Sequence, residues 1–338
     1  MKRKKQLGFS LLELFIALAI GLALLLGVLS VFVGMRTTTA ETSSYGEMQE
    51  NGRFAISILT DDLLKQGFWG GLSVPMDLSI LETAVPAIGI GTDCNGAGVN
   101  NATFPVAVGA FRTLWGDTVT AANAIDCISD AKVGSDLLQV KRVIAAPIAT
   151  PDPIAAVGNA NRFYLIANSN SGEFFPGNTA PTAIENSQIW QYQHHIYYIR
   201  EETQGSNVVP VLMQGQLTNA GMDFDVLVDG IEMIRFMYGV DTDVDADTND
   251  YLTGDGDGIV DAFISADNMT SALWSNNNSR ILAVKVFVLV RDIMPDNKYS
   301  NTNTYVLGDR PFTFNDNYRR LLFTSTVTLY NARVDTWN

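Results

Sequence analysis

The chain is short of basic charge, of histidine and of cysteine. It carries 22 Lys and Arg against 36 Asp and Glu, a formal net charge of −14. Nucleic-acid binding needs a basic footprint facing the phosphates, so this balance argues against a nucleic-acid partner. The only histidines are His194 and His195, adjacent in a strand-like run. Neighbouring side chains on a strand point to opposite faces, so the two do not readily share a metal. They are expected as surface and core positions of a sheet. No Gly-x-Ser-x-Gly, His-Glu-x-x-His or Walker pattern occurs. Carboxylates are too numerous to single out an acid/base pair. An enzyme is not expected.

What the chain does have is a long apolar run. From Phe9 to Gly34 it is uncharged except for Glu13, with Ser10 and Ser30 as the other polar residues. A helix of that length crosses a hydrocarbon core of about 30 Å. Lys2, Arg3, Lys4 and Lys5 precede it and hold that side in the cytoplasm. A cleavable secretory signal has an apolar core of only about 7–15 residues, and Ser30–Gly34 is a poor cleavage site. Glu13 is the anomaly. A carboxylate in the bilayer costs roughly 2.5–3.5 kcal/mol on insertion scales, so it calls for a partner.

Proline is absent from 36–66, and Met48, Phe54, Ala55, Ile58, Leu59, Leu63 and Leu64 recur at helical spacing. One helix is expected over 9–66, ended by a glycine C-cap at Gly67, with Gly46 and Gly52 as weak points for a bend. From 72 to 130 the chain is rich in Gly, Ala, Asn and Thr and has little periodicity. Strand-like runs follow at Ser135–Val143, Arg162–Ala167, Gln188–Ile199, Val209–Met213, Val226–Tyr238, Arg280–Arg291 and Leu321–Leu329. In Ala283–Arg291, Lys285 and the residues two apart from it share one face. No second long helical pattern separates the strands, so hairpins and a meander fit better than βαβ units. The expected class is α+β, a long N-terminal helix packed on an antiparallel β-sheet head.

Cys94 and Cys127 lie in the irregular segment. In a domain on the far side of the membrane from Lys2–Lys5 they are expected as a disulfide, with two free thiols as the alternative. The bond would close a loop of about 33 residues and stabilise by about 3–4 kcal/mol on the chain-entropy model. The densest polar cluster is Asp241, Asp243, Asp245, Asp247, Asp250, Asp255, Asp257 and Asp261, interleaved with glycines. Oxygen ligands at alternate positions suit Ca²⁺, and Asp241, Asp243, Asp255, Asp257 and Asp261 are the candidate ligands for a structural ion. Placing Asp257 and Gly258 at positions 5 and 6 of an EF-hand-like loop puts Ile264 at position 12, where the bidentate Glu should be. The alternative is a solvated acidic turn. Trp69, Trp115, Trp190, Trp274 and Trp337 are scattered and define no ligand stripe.

Lys4-Lys5-Gln6-Leu7-Gly8-Phe9-Ser10-Leu11-Leu12-Glu13 resembles the leader of type IV pilins and pseudopilins. The resemblance implies cleavage by prepilin peptidase between Gly8 and Phe9 and methylation of the new N-terminus. It also implies that Glu13 pairs with the α-amino group of a neighbouring subunit. Removing the leader leaves 18 basic residues against 36 acidic, a charge near −18. Two stretches, Gln49-Glu50-Asn51-Gly52-Arg53-Phe54-Ala55 and Leu59-Thr60-Asp61-Asp62-Leu63-Leu64-Lys65-Gln66-Gly67-Phe68-Trp69-Gly70, are similar to the PilW family of minor pilins. So are Ser135–Arg142, the strand ending Tyr238-Gly239-Val240-Asp241, Ala283–Arg291 and Arg319–Arg333. Lys65 and Gln66 stand where the family more often has Arg and Ala. Val244–Gly254 resembles an insertion that splits the acidic motif.

The resemblance implies a leader at 1–8, a transmembrane and assembly helix at 9–34, the periplasmic half of that helix at 35–71 and a head at 72–338. It implies a minor pilin that primes or caps a type IV pilus, held in the inner membrane with its head in the periplasm before it enters the pilus. Its partners would be other minor pilins, the major pilin and prepilin peptidase. Ala17, Gly21, Gly27 and Gly34 would permit close helix packing. The alternatives are a J-type pseudopilin of type II secretion and, in another class, a pilus-tip adhesin or calcium-dependent binding module.

Overall fold

The computed structural model describes residues 10–89, 93–149, 156–242, 258–275 and 280–331. The chain falls into two compact units, Met1–Glu47 and Met48–Asn338. The first unit is the N-terminal part of helix α1 (Leu11–Leu64). Its large apolar side chains, from Leu11 to Met35, are exposed on every face. An apolar surface of that extent belongs in a second apolar phase, and this is the one described helix long and apolar enough to cross a membrane.

The second unit begins with the rest of α1, which has a different character. Met48, Ala55, Leu59 and Leu63 form one buried face, while Phe54 and Leu64 are exposed. α1 is continuous through Gly46 and Gly52. Gly52 marks a close approach: a Cβ there would stand 2.2 Å from the Phe323 ring. The helix ends as the glycine signal predicts, with Gly67 in the left-handed region at φ 68°.

The first sheet comprises β1 (Leu114–Thr118), β2 (Asp136–Val143), β3 (Phe163–Ala167), β4 (Gly172–Pro176), β5 (Gln188–Gln204), β6 (Asn207–Thr218) and β7 (Gly221–Asp229). Its order is β1-β2-β5-β3-β4, with β6 pairing β5 and β7. The second comprises β8 (Ile231–Asp241), β9 (Ala262–Ser265), β10 (Arg280–Arg291) and, after a hairpin of β11 (Thr304–Leu307) and β12 (Arg310–Thr313), β13 (Arg320–Thr328). Its order is β13-β10-β8-β9. These strands pair antiparallel, which bears out the α+β class.

The run Val226–Tyr238, expected as one strand, is two. Gly230, at φ 78°, turns the chain from β7 into β8 and from one sheet into the other. The glycine inside an apolar run was the signal for that break. The strands β1, β4, β9, β11 and β12 are short and were not anticipated.

The buried face of α1 joins Leu138, Val140, Tyr197 and Ile199 of the first sheet and Ile234, Phe236, Val284, Val286 and Val288 of the second in one core. The irregular segment covers the far side of the first sheet, where Cys94, Trp115 and Ile128 meet Leu137, Ile196 and Tyr198. With both faces covered, β2 is buried at all eight positions. Beyond the end of α1, Trp69 stacks on Tyr192 at 5.9 Å between ring centroids, and Phe104 and Phe174 approach to 5.0 Å. On β10, Lys285 lies over the Phe263 ring, and Phe287 and Leu289 meet the β11–β12 hairpin. These three share the face opposite Val284, Val286 and Val288, as the alternation predicts.

Leu59→Ala is expected to cost about 2–5 kcal/mol, because the two sheets hold the cavity open. Phe54→Ala, on the exposed side of the same turn, should change stability by no more than about 0.5 kcal/mol. Urea denaturation of the full chain in detergent compares the two.

Candidate functional site

Of the assembly segment, Gly8 and Phe9 lie outside the described residues. Glu13 sits in the first turn of α1 and is exposed. Its Oε2 accepts the Ser10 N–H at 2.9 Å, while the Ser10 hydroxyl oxygen accepts the Leu12 N–H at 3.2 Å. This is a reciprocal N-terminal cap, Ser at the cap position and Glu three residues later. It fixes the Glu13 carboxylate at the positive end of the helix. The Ser-x-x-Glu spacing of Ser10 and Glu13 is the sequence signal of this cap.

At the other end of α1 a second carboxylate is buried. Asp62 projects onto the first sheet, where Arg142 Nε donates to its Oδ1 at 2.7 Å. His195 Nδ1 lies 2.8 Å from Oδ2, and the Tyr197 hydroxyl donates to Oδ2 at 3.0 Å. Gln214 Nε2 in turn donates to the Tyr197 oxygen. Burial pushes the Asp62 carboxyl up, but the His195 contact and the Arg142 charge outweigh it and hold it at about 2. The helix is thereby keyed to β2 and β5 by three side chains converging on one carboxylate.

A third ionic centre joins the two sheets. Arg235, on β8, is 1% exposed and reaches Asp136 at the start of β2 at 3.2 Å, Asp267 at 2.9 Å and Asp309 at 2.6 Å. In the sequence Arg235 stands inside an apolar strand motif with no task evident from its neighbours. A lone Arg at a core-like position was the available signal.

The expected disulfide is present: Cys94 and Cys127 are bonded, with Cα atoms 5.0 Å apart. The two histidines do face opposite ways, but neither is at the surface. His195 meets Asp62 on the helix side, and His194 lies under the irregular segment, 3.0 Å from the Thr103 hydroxyl. The expectation of one surface histidine fails because that segment covers the far side of the sheet.

In the acidic run, Asp243, Asp255 and Asp257 lie outside the described residues. Asp241 ends β8 and is 1% exposed; its Oδ2 accepts the Gly258 N–H, and its Oδ1 is buried without a hydrogen-bond partner among the described residues. Asp261 Oδ2 accepts both the N–H and the hydroxyl of Thr242. Among the described residues no group of three acidic, His or Cys side chains is placed to hold a metal.

Residues 196–331, from β5 to the end of β13, match the family model described as Type IV Pilus-assembly protein W, PilW. Over these residues the chain is similar to the PilW family. No curated protein and no solved structure matches it. The matched span contains β8, β10 and β13, whose motifs carried the resemblance, and Arg235 with its partner Asp309. The match supports involvement in type IV pilus assembly.

Asp62 gives a signed pH dependence. Its folded value of about 2 lies below the ordinary carboxyl value of 3.8. The ionised pair therefore contributes fully above about pH 4, roughly 2 kcal/mol, and is lost as pH falls towards 2. Asp62→Asn should lower stability at neutral pH and flatten the loss between those limits, as read from melting temperature against pH. Cys94→Ser with Cys127→Ser should lower stability by about 3–4 kcal/mol, measured by the same denaturation.

Proposed function

We propose that the protein is a minor pilin that primes or caps a type IV pilus, cut between Gly8 and Phe9 by prepilin peptidase and methylated on Phe9. The PilW-family match over 196–331 carries the reading, and the exposed apolar part of α1 supports it. Such a surface is stable in the inner membrane before assembly and among other pilin helices afterwards.

Glu13 is the proposed contact to a neighbouring subunit's α-amino group. Its bond to the Ser10 N–H leaves acceptor capacity, since a carboxylate offers about four lone-pair sites. The cap also keeps the carboxylate from turning along the helix. A deletion strain should lack surface pili, and wild type should restore them while Glu13→Ala does not. Normal pili from the Glu13→Ala chain would overturn the Glu13 assignment. Normal pili in the deletion strain would overturn the assembly role.

A second element rests on Asp241. A buried carboxylate oxygen with no described partner is costly, and a hard cation would satisfy it. We propose a structural Ca²⁺ bound by Asp241 and Asp261 together with Asp243, Asp255 and Asp257. Calcium is expected to raise the melting temperature of the full chain and a chelator to reverse the rise. An unchanged transition removes the ion from the proposal.

A further inference from the structure

Behind β2 lies a buried polar cluster that the assembly role does not use. Lys141 alternates with Val140 and Arg142, so it points away from α1 towards the segment that the disulfide ties down. It is 0% exposed, and its Nζ donates to Asn101 Oδ1 at 3.0 Å. Nζ also lies 4.9 Å from the centre of the Phe111 ring. Asn101 is 2% exposed and held from its other end, Nδ2 donating to Ala97 O at 3.1 Å. The loop closes tightly on it, since a Cβ at Gly96 would stand 2.2 Å from Asn101 Nδ2 and 2.7 Å from the Trp115 ring.

Two further groups complete the cluster. Asp93 Oδ1 accepts the Thr103 hydroxyl at 2.6 Å and the Thr103 N–H at 3.1 Å. Because that hydroxyl spends its one proton on Asp93, His194 Nδ1 carries the proton of their 3.0 Å contact. His194 Nε2 is then unprotonated, and it is buried without a partner among the described residues.

A lysine sealed from solvent is out of reach of any external substrate. The electrophile at hand is the carboxamide it already touches. We propose that Lys141 and Asn101 form an intramolecular isopeptide bond. The neutral Nζ adds to Cγ of Asn101, a C–N bond forms, and the carbonyl electron pair moves to Oδ1. A proton passes from the attacking nitrogen to Nδ2. The carbonyl re-forms, the Cγ–Nδ2 bond breaks and ammonia leaves. The product is a secondary amide, with no oxidant or reductant involved.

Burial supplies the nucleophile. It pushes the Lys141 ammonium down to about 7, a pull that the Asp93 charge only partly offsets, so a large share of the amine is neutral at physiological pH. Packing supplies the encounter, because groups held in contact react as if at effective molarities of about 10⁵–10⁸ M. The bond would join the loop to β2 a short way along the chain from Cys94, fastening the segment twice over.

Peptide mapping by mass spectrometry of the full chain, purified from cells in detergent and reduced, decides the question. The expected result is a branched peptide containing Asn101 and Lys141, lighter than its two linear parts by one ammonia, with no tryptic cut after Lys141. Linear peptides with an intact Asn101 and a free Lys141 amine would overturn the proposal without any variant being needed. Asn101→Ala should restore the linear Lys141 peptide.

Discussion

The head is organised around a carboxylate that has no business being buried unless it is held. Asp62 sits on the helix face that enters the core, and Arg142, His195 and Tyr197 come to it from two neighbouring strands. A pair of this kind adds little over an apolar contact of the same size, but losing one member leaves an uncompensated charge. Its value is therefore in register. Sliding α1 by one turn would still offer apolar side chains to the sheets, but it would carry Asp62 away from all three partners. The apolar positions alone do not resolve that ambiguity.

The same reasoning extends to Arg235 and Lys141. β2 of the first sheet is covered on both faces and has no solvated side for polar residues, and Arg235 on β8 of the second sheet is equally sealed. The charges that remain are answered from a different element each time: Asp62 from the helix, Asp309 from the β11–β12 turn, Asn101 from the irregular segment. Elements of low apolar content are thus fixed by polar matches to buried strand residues. That explains how a stretch with little periodicity can still be ordered.

Much of this was open to reading. The long helix follows from apolar spacing, the lack of proline over 36–66 and the Gly67 stop, and the longer strands follow from alternation. The disulfide follows from a lone cysteine pair. What the pattern concealed was mostly long-range. His194 and His195 could be assigned to opposite faces but not to depth, because depth depends on what covers the sheet. Lys141, Arg142 and Arg235 declared themselves only as charges in apolar strands; their partners lie 40, 80 and 74 residues away for Asn101, Asp62 and Asp309. The short edge strands carry too few residues for a period to emerge. The acidic run was legible as a candidate cation loop, but most of the candidate ligands fall outside the described residues.

Gly230 has a mechanical meaning. Its N–H donates to Pro210 O on β6, and its own carbonyl accepts the Arg291 N–H of β10. A Cβ in its place would stand 2.8 Å from Arg291 O. One residue is thus hydrogen-bonded into both sheets at the point where the chain crosses between them. Tension arriving along β7 is shared between two ladders at that residue before it reaches β8. Load carried through that residue is spread over both sheets, and the position has room only for glycine.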